Sequence, residues 1–281
     1  MTALPALIRN PAADIRLLAS DAEGPLRIVV SAYSVLKGFT ETRLDRASEP
    51  AFAAVLEIAS GSDGTLERLA PELALALWGC GLLVLPQELA PPFAPARFAE
   101  DRNDFAADGF ALLSGCVSVA MVDAVAGFYR AQVDSGKARL SSGPIDRLHI
   151  QNDPAGRVIQ HALRPAVEAF VGTPIKSSYC YASLYREGAS LPVHVDREQC
   201  EYTLSVLIDH RPVPADGVSP WPIQLYPRPG VTPVECYQGI GGGLLFKGRQ
   251  LSHGRQPLVA DQTCWTLLLH YVDADFAGSL D

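Results

Sequence analysis

The stretch YREGASLPVHVDR (residues 185–197) contains His194 and Asp196, and 59 positions after His194 the stretch GGGLLFKGRQLSHGR (241–255) supplies His253. In an extended strand, alternate side chains project from one face, so His194 and Asp196 can approach a single metal ion together. A distant strand can bring His253 to the same point. Two imidazoles and one carboxylate on one face of an octahedron suit ferrous iron and leave three positions open for other ligands.

Outward from these residues the pattern has a period of two. Strands are expected over 178–185, 192–196, 202–208, 222–226, 234–237, 243–247, 252–257 and 263–272, with connections rich in Pro, Gly and Asp. Eight short strands preceded by two helices fit an α+β fold, a jelly roll braced on one face by helices. In the first helix Ser118 is the cap, Val119, Val122, Val125, Ala126 and Tyr129 share a face, and Gly136 is the stop. Asp153 and Pro154 begin the second, in which Ile159, Leu163, Val167 and Phe170 face inward, Pro165 bends the axis and Gly172 ends it. A further strand is expected at 109–114.

The chain has 281 residues, 48% hydrophobic and 19% charged, enough for one large domain or two smaller ones. Its formal charge of −8 excludes a broad basic surface for nucleic acid. The six cysteines are too far apart for a thiol redox motif or a zinc knuckle, which suits a reducing cytosol. No export signal is read at the N-terminus. The apolar runs 73–86 and 109–128 are too short or too interrupted to span a membrane, so a cytoplasmic location is expected.

The sharpest break in composition is ELAPPFAPARFAEDRND (88–104). It divides the chain into a small N-terminal α/β domain (1–90), a Pro-rich linker (91–104) and the strand-rich domain (105–281). Within the first, a strand at 26–30, helices at 51–58 and 66–77 and a strand at 82–85 are expected. Residues 24–87 resemble the winged-helix peptide-recognition modules of peptide-modifying enzymes. The plainer expectation is a scaffold.

Tyr185, Gly188, His194-x-Asp196, a glycine-rich turn, an apolar strand and His253, in that order, resemble the Fe(II)/2-oxoglutarate-dependent dioxygenase superfamily, prolyl-hydroxylase-like branch, over residues 108–273. The resemblance implies a double-stranded β-helix in which His194, Asp196 and His253 hold Fe(II). It also implies that 2-oxoglutarate chelates the metal, and that O2 is used to hydroxylate an unactivated C–H bond with release of succinate and CO2. An aspartate in the triad argues against halogenation. The same iron site serves desaturation, cyclisation or epimerisation equally well. A non-catalytic jelly-roll binding module remains the alternative from another class.

One departure concerns the far carboxylate of 2-oxoglutarate. The family usually meets it with a basic residue about ten positions past the distal histidine, where this chain has Thr263 and no Lys or Arg after Arg255. Arg255 is the first choice instead, on the same strand face as His253 and roughly 6–7 Å farther along. A guanidinium there can grip a carboxylate with two parallel hydrogen bonds. Lys247 is second and Arg186 third. Tyr185 stands where related enzymes place a cosubstrate-binding tyrosine, and Tyr181 shares its face. A core tyrosine with a satisfied hydroxyl fits each of these two equally well; Thr203 and Ser205 share a strand face that could line the pocket, and core packing is the plainer role for that pair. His270 reads as a hydrogen-bonded core histidine, and His149, His161 and His210 as loop or helix residues without a chemical role. No nucleophile elbow, phosphate loop or zinc-protease motif competes with this site. Expected partners are a small-molecule or peptide substrate, whose anionic group Arg186 or Arg197 could meet, with a homodimer as the oligomeric alternative.

Overall fold

The computed structural model describes residues 7–19, 25–45, 50–60, 69–89, 102–140, 147–228 and 230–280. The chain forms two compact units, Met1–Ala90 with Arg157–His161, and Pro91–Gly156 with Ala162–Asp281. Most of the expected linker, residues 91–101, lies outside the described residues, as does the start of the helix expected at 66–77.

In the first unit, β1 (Ile8–Arg9) pairs with β5 (Leu83–Val84). Strands β2 (Ala13–Ala19), β3 (Leu26–Ser34) and β4 (Gly38–Leu44) make an antiparallel meander. Helices α1 (Pro50–Ala59) and α2 (Pro71–Gly79) follow it. The central strand β3 is LRIVVSAYS, in which Ile28, Val30 and Ala32 fall on one side and pack with Val55, Ile58, Leu77 and Leu82 in one core. Each fully buried aliphatic side chain there contributes roughly 1.5–3 kcal/mol. The 26–30 strand therefore extends to Ser34, and β1, β2 and β4 are additions to the expected set. In β2 the charged Asp14 and Arg16 alternate with Ala13, Ile15 and Leu17, a period of two that sequence reasoning missed, whereas in β4 Glu41 and Arg43 alternate with threonines rather than with apolar residues.

The second unit contains α3 (Arg102–Asp108), β6 (Phe110–Leu113), α4 (Val119–Asp134), β7 (Arg139–Leu140), β8 (Arg147–Gln151) and α5 (Pro154–Val171, with Arg157–His161 grouped in the first unit). Then come β9 (Ile175–Tyr185), β10 (Leu191–His194), β11 (Tyr202–Arg211), β12 (Ile223–Tyr226), β13 (Val234–Cys236), β14 (Gly243–Lys247), β15 (Ser252–Arg255) and β16 (Thr263–Asp273). All eight expected strands are present. They form a sheet of seven strands in the order β6-β14-β11-β16-β9-β8-β7 and one of four in the order β10-β15-β12-β13. Apolar side chains from both sheets meet: Ile223, Leu225 and Cys236 of the smaller with Leu244 and Phe246 of the larger.

Ser118 caps α4 by accepting the Met121 N–H at 3.4 Å. Val119 is exposed rather than inward-facing, and Met121 takes a buried place on the face of Val122, Val125, Ala126 and Tyr129. The Tyr129 ring stacks on Trp265 of β16 at 5.2 Å, which fixes α4 against the larger sheet. Helix α5 starts at Asp153, whose carboxylate accepts the Gly156 N–H at 2.9 Å, and stops at Gly172 in the left-handed conformation, φ 79°. It continues as one helix through Pro165. Among the described residues no helix is long and apolar enough to cross a membrane.

Asp153 lies fully inside the protein against Tyr129, and burial pushes its carboxyl up to about 6. A raised native value means that its stabilising contribution is complete below the ordinary carboxylate range and is lost as pH rises through about 6. Asp153→Asn keeps a capping side chain but cannot ionise. Its unfolding free energy relative to wild type is expected to climb by up to about 3 kcal/mol between about pH 4 and about pH 7. A gap that stays constant across that range in denaturant titrations contradicts the assignment.

Candidate metal centre

Strands β10 and β15 are antiparallel neighbours, and their register sets His194 directly opposite His253. Facing residues on adjacent strands stand about 4.5–5.5 Å apart at Cβ, close enough for two imidazoles to converge on one ion. The two rings lie 4.4 Å apart. Phe246 meets the His253 ring edge-on at 4.7 Å and holds it from the core side.

Asp196 reaches the same point by a different route from the one expected. The ladder shifts register between Leu191 and His194, and β10 ends at His194. Asp196 therefore lies beyond the strand, where its N–H bonds the Gly248 carbonyl at 2.9 Å. Gly248 has to be glycine: a Cβ there would press into the Asp196 carboxylate, the Cys200 carbonyl and the Thr203 hydroxyl. The outcome is a carboxylate Oδ1 that sits 3.6 Å from His194 Nε2 and 3.5 Å from His253 Nε2.

Each histidine is held by its other nitrogen. His194 Nδ1 lies 2.8 Å from the Pro192 carbonyl and His253 Nδ1 3.0 Å from the Leu251 carbonyl. A carbonyl only accepts, so both rings donate through Nδ1 and present Nε2 as the lone pair, the arrangement that metal-binding histidines use. Asp196 Oδ2 accepts from the Thr203 hydroxyl at 2.7 Å, and that hydroxyl in turn lies 3.0 Å from His270 Nδ1. Burial alone would raise the Asp196 carboxyl, but His194, His253, His270 and Thr203 outweigh it and hold it at about 2. Burial lowers His253, leaving it neutral, while the Asp196 carboxylate raises His194. The Asp196 anion and His253 need little rearrangement to bind a divalent cation, whereas a proton competes with the metal at His194 as pH falls.

A cavity of about 320 Å³ opens beside the triad, within the usual range for ligand sites. Tyr185 and Tyr181 line it, as expected, and so do His270, Arg197 and Arg147. Arg147 and Gln151 come from β8, which pairs Arg147 with Tyr185 and Gln151 with Tyr181 on β9. Arg147 Nη1 donates to the Tyr185 hydroxyl at 2.6 Å, and its guanidinium lies 5.0 Å from the centre of the Tyr181 ring. Its buried Nε has no hydrogen-bond partner among the described residues. His149, on the same strand rather than in a loop or helix, stacks on Tyr181 at 5.0 Å.

The residues first chosen to meet the far carboxylate lie elsewhere. Arg255 is buried as expected on β15, but Nη1 donates to the Trp221 carbonyl at 2.7 Å and Nη2 to Gln238 at 3.2 Å. With its guanidinium carbon 4.3 Å from the centre of the Trp221 ring, it stitches the barrel instead of lining the cavity. Lys247 ends β14 with its ammonium 5.8 Å from the Phe105 ring, and Arg186 is exposed; neither lines the cavity. Ser205 is buried on β11 and also stays out of it, whereas Thr203 touches the triad directly. His210 is a buried residue of β11, not a loop residue. Sequence reasoning missed Arg147 and Gln151; the alternation RLHIQ (147–151), polar residues at every second position, is the signal that marks β8.

No protein-family model matches the chain, nor does any curated protein. Solved structures match it in fold. A Pseudomonas putida prolyl-4-hydroxylase superposes with a TM-score of 0.53 at 16% identity, covering 63% of this chain and 98% of that one. SnoK, a non-heme alpha-ketoglutarate-dependent carbocyclase from nogalamycin biosynthesis, gives 0.55 at 13% identity over 66% of this chain and 88% of its own. SnoN, an epimerase with the same dependence and pathway, gives 0.52 at 17% identity over 64% and 84%. The second unit thus has the jelly-roll fold of these oxygenases, and the winged-helix likeness of the first finds no support among them.

Removing the Thr203 hydroxyl while keeping its shape tests how far this hydrogen bond positions the carboxylate. Thr203→Val is expected to weaken Mn(II) binding 10- to 100-fold, the usual cost of losing a partner of a metal ligand. Unchanged affinity in a Mn(II) paramagnetic-resonance titration would mean that Asp196 does not depend on it.

Proposed function

We propose that this chain is an Fe(II)- and 2-oxoglutarate-dependent oxygenase that hydroxylates a C–H bond of a small molecule or peptide residue. The observation that carries the proposal is the triad itself: two Nε2 lone pairs and one ionised carboxylate oxygen within 3.5–3.6 Å contacts, each histidine fixed by a backbone carbonyl. Nitrogen and oxygen donors on one side, with a cavity on the other, fit iron with open positions. Iron with 2-oxoglutarate and O2 supplies a two-electron oxidation of an unactivated C–H bond, with succinate and CO2 as by-products.

What the protein contributes is placement and charge. Arg147 is the residue proposed to grip the far carboxylate of 2-oxoglutarate, with Tyr185 beside it: the guanidinium lines the cavity, and a two-pronged donor suits a carboxylate. Asp196 is the one carboxylate among the described lining residues, against Arg147 and Arg197, so the cavity favours a dianionic cosubstrate. Tyr181, Leu191 and Leu268 add apolar surface that keeps water from the reacting bond. Because Asp196 occupies the third ligand place, hydroxylation is the outcome assigned rather than halogenation.

Fe(II) and 2-oxoglutarate, added together without oxygen, should give the visible metal-to-ligand charge-transfer absorption of a chelated keto acid. Admitting O2 should then yield succinate. No such absorption would favour a non-catalytic jelly-roll module. Arg147→Met is expected to raise the 2-oxoglutarate concentration needed for half-maximal absorption at least tenfold, about 1.4 kcal/mol, with Fe(II) affinity unchanged. If Arg255→Met does this and Arg147→Met does not, the anchor is Arg255.

A further inference from the structure

We propose that the substrate of this cavity is a small organic acid with an apolar body, and that Arg197 is the residue that meets its carboxylate. The inference rests on the oxygenase reading above and names the class of molecule that the same site selects.

Arg197 directly follows the triad carboxylate, is exposed, and lines the cavity. Two contacts hold it there. Its carbonyl accepts the Cys200 N–H at 3.0 Å, which closes a tight turn, and its guanidinium lies 5.0 Å from the centre of the Tyr179 ring. That ring is buried, with its hydroxyl 3.1 Å from Cys200 Sγ. A long side chain with an aromatic face beneath it loses less freedom when a ligand arrives than one surrounded by water.

The placement of the two cavity arginines divides their work. Three tyrosines of β9 line the cavity: Arg147 lies against Tyr181 and Tyr185, and Arg197 lies against Tyr179. Six residues of strand, roughly 20 Å, separate Tyr179 from Tyr185. With Arg147 assigned to the keto acid, Arg197 is left to serve a different anion.

Charge points the same way. A divalent metal, a dianionic keto acid, Asp196 and Arg147 neutralise one another, and Arg197 is then the one formal charge left over among the described lining residues. The neighbouring Asp196 pairs with His194 and His253, and Arg197 takes part in no ion pair among the described residues. A carboxylate at this point gains a two-pronged, charge-assisted contact, whereas an amine meets a like charge. Val195, Leu191 and Leu268 form the apolar part of the lining, so the complementary molecule carries hydrocarbon as well as charge. At about 320 Å³ the cavity stands near the lower end of the usual range for ligand sites and holds the keto acid too, which suits a small molecule.

The test uses full-length protein loaded with Mn(II) and saturating 2-oxoglutarate. The probes are isovalerate and phenylacetate, each compared with its uncharged amide, isovaleramide and phenylacetamide. Manganese speeds the proton relaxation of molecules held near it, so the readout is binding and not turnover. Both acids are expected to relax at least about fivefold faster than their amides in wild type, and to fall to the level of the amides in Arg197→Met. Equal acceleration of acid and amide, no acceleration of either, or an acid effect that survives in Arg197→Met overturns the proposal. A titration of the Fe(II)–keto acid absorption gives the control. Arg197→Met is expected to stay within about threefold of wild type in the 2-oxoglutarate concentration for half-maximal absorption, as a screened charge at the rim would. A rise equal to that in Arg147→Met assigns Arg197 to the cosubstrate and also overturns the proposal. The two readings fail separately: absence of that absorption from wild type removes the oxygenase assignment, whereas its presence without a preference for acids removes this one.

Discussion

The antiparallel register that sets His194 opposite His253 is the constraint on which the rest of the site depends. In a sheet a slip of one residue turns every side chain to the other face, so this pairing cannot drift without destroying both ligands at once. The register is held from several directions. Gln224, Leu225 and Tyr226 of β12 pair with β15 on its far side, and Leu225 is wholly buried in the core that the two sheets share. Phe246 then backs the His253 ring. Core packing therefore places the imidazoles, and two backbone carbonyls rotate their lone pairs toward each other.

Charge completes what geometry begins. A carboxylate buried in this position would resist ionisation on its own, yet three histidines and a hydroxyl keep Asp196 anionic. The anion lies beside two guanidinium groups of the cavity, those of Arg147 and Arg197. A site with this balance is poor for a cationic or uncharged ligand alone and favourable for a metal together with an acid.

Much of the second unit was legible in the sequence because its strands read as short apolar runs or alternations, punctuated by Pro and Gly. LLF within β14 and TLLLHYV within β16 have no competing helical period, and the structure contains every strand expected there. Other features were not legible for physical reasons. In β4 the charged Glu41 and Arg43 alternate with Thr40 and Thr42 rather than with apolar residues, and β7 is only two residues long. That Asp196 leaves the strand follows from a shift in the ladder, which depends on the partner strand rather than on the HVD sequence. Arg255 was placed correctly on β15, but its guanidinium turns to the Trp221 carbonyl and Gln238, partners 34 and 17 residues away. Arg147 lies nearly fifty residues before the triad and reaches the cavity only because β8 pairs with β9, a contact no local spacing encodes.

The central claim is that His194, Asp196 and His253 close on one metal ion and leave part of its coordination open. A crystal structure of the chain with Mn(II) and 2-oxoglutarate, the metal located by its anomalous scattering, tests this most directly. The account requires one manganese bound by His194 Nε2, His253 Nε2 and the Asp196 carboxylate, with the keto acid reaching toward Arg147. Manganese bound elsewhere, or these three side chains turned away from a common point, would contradict it.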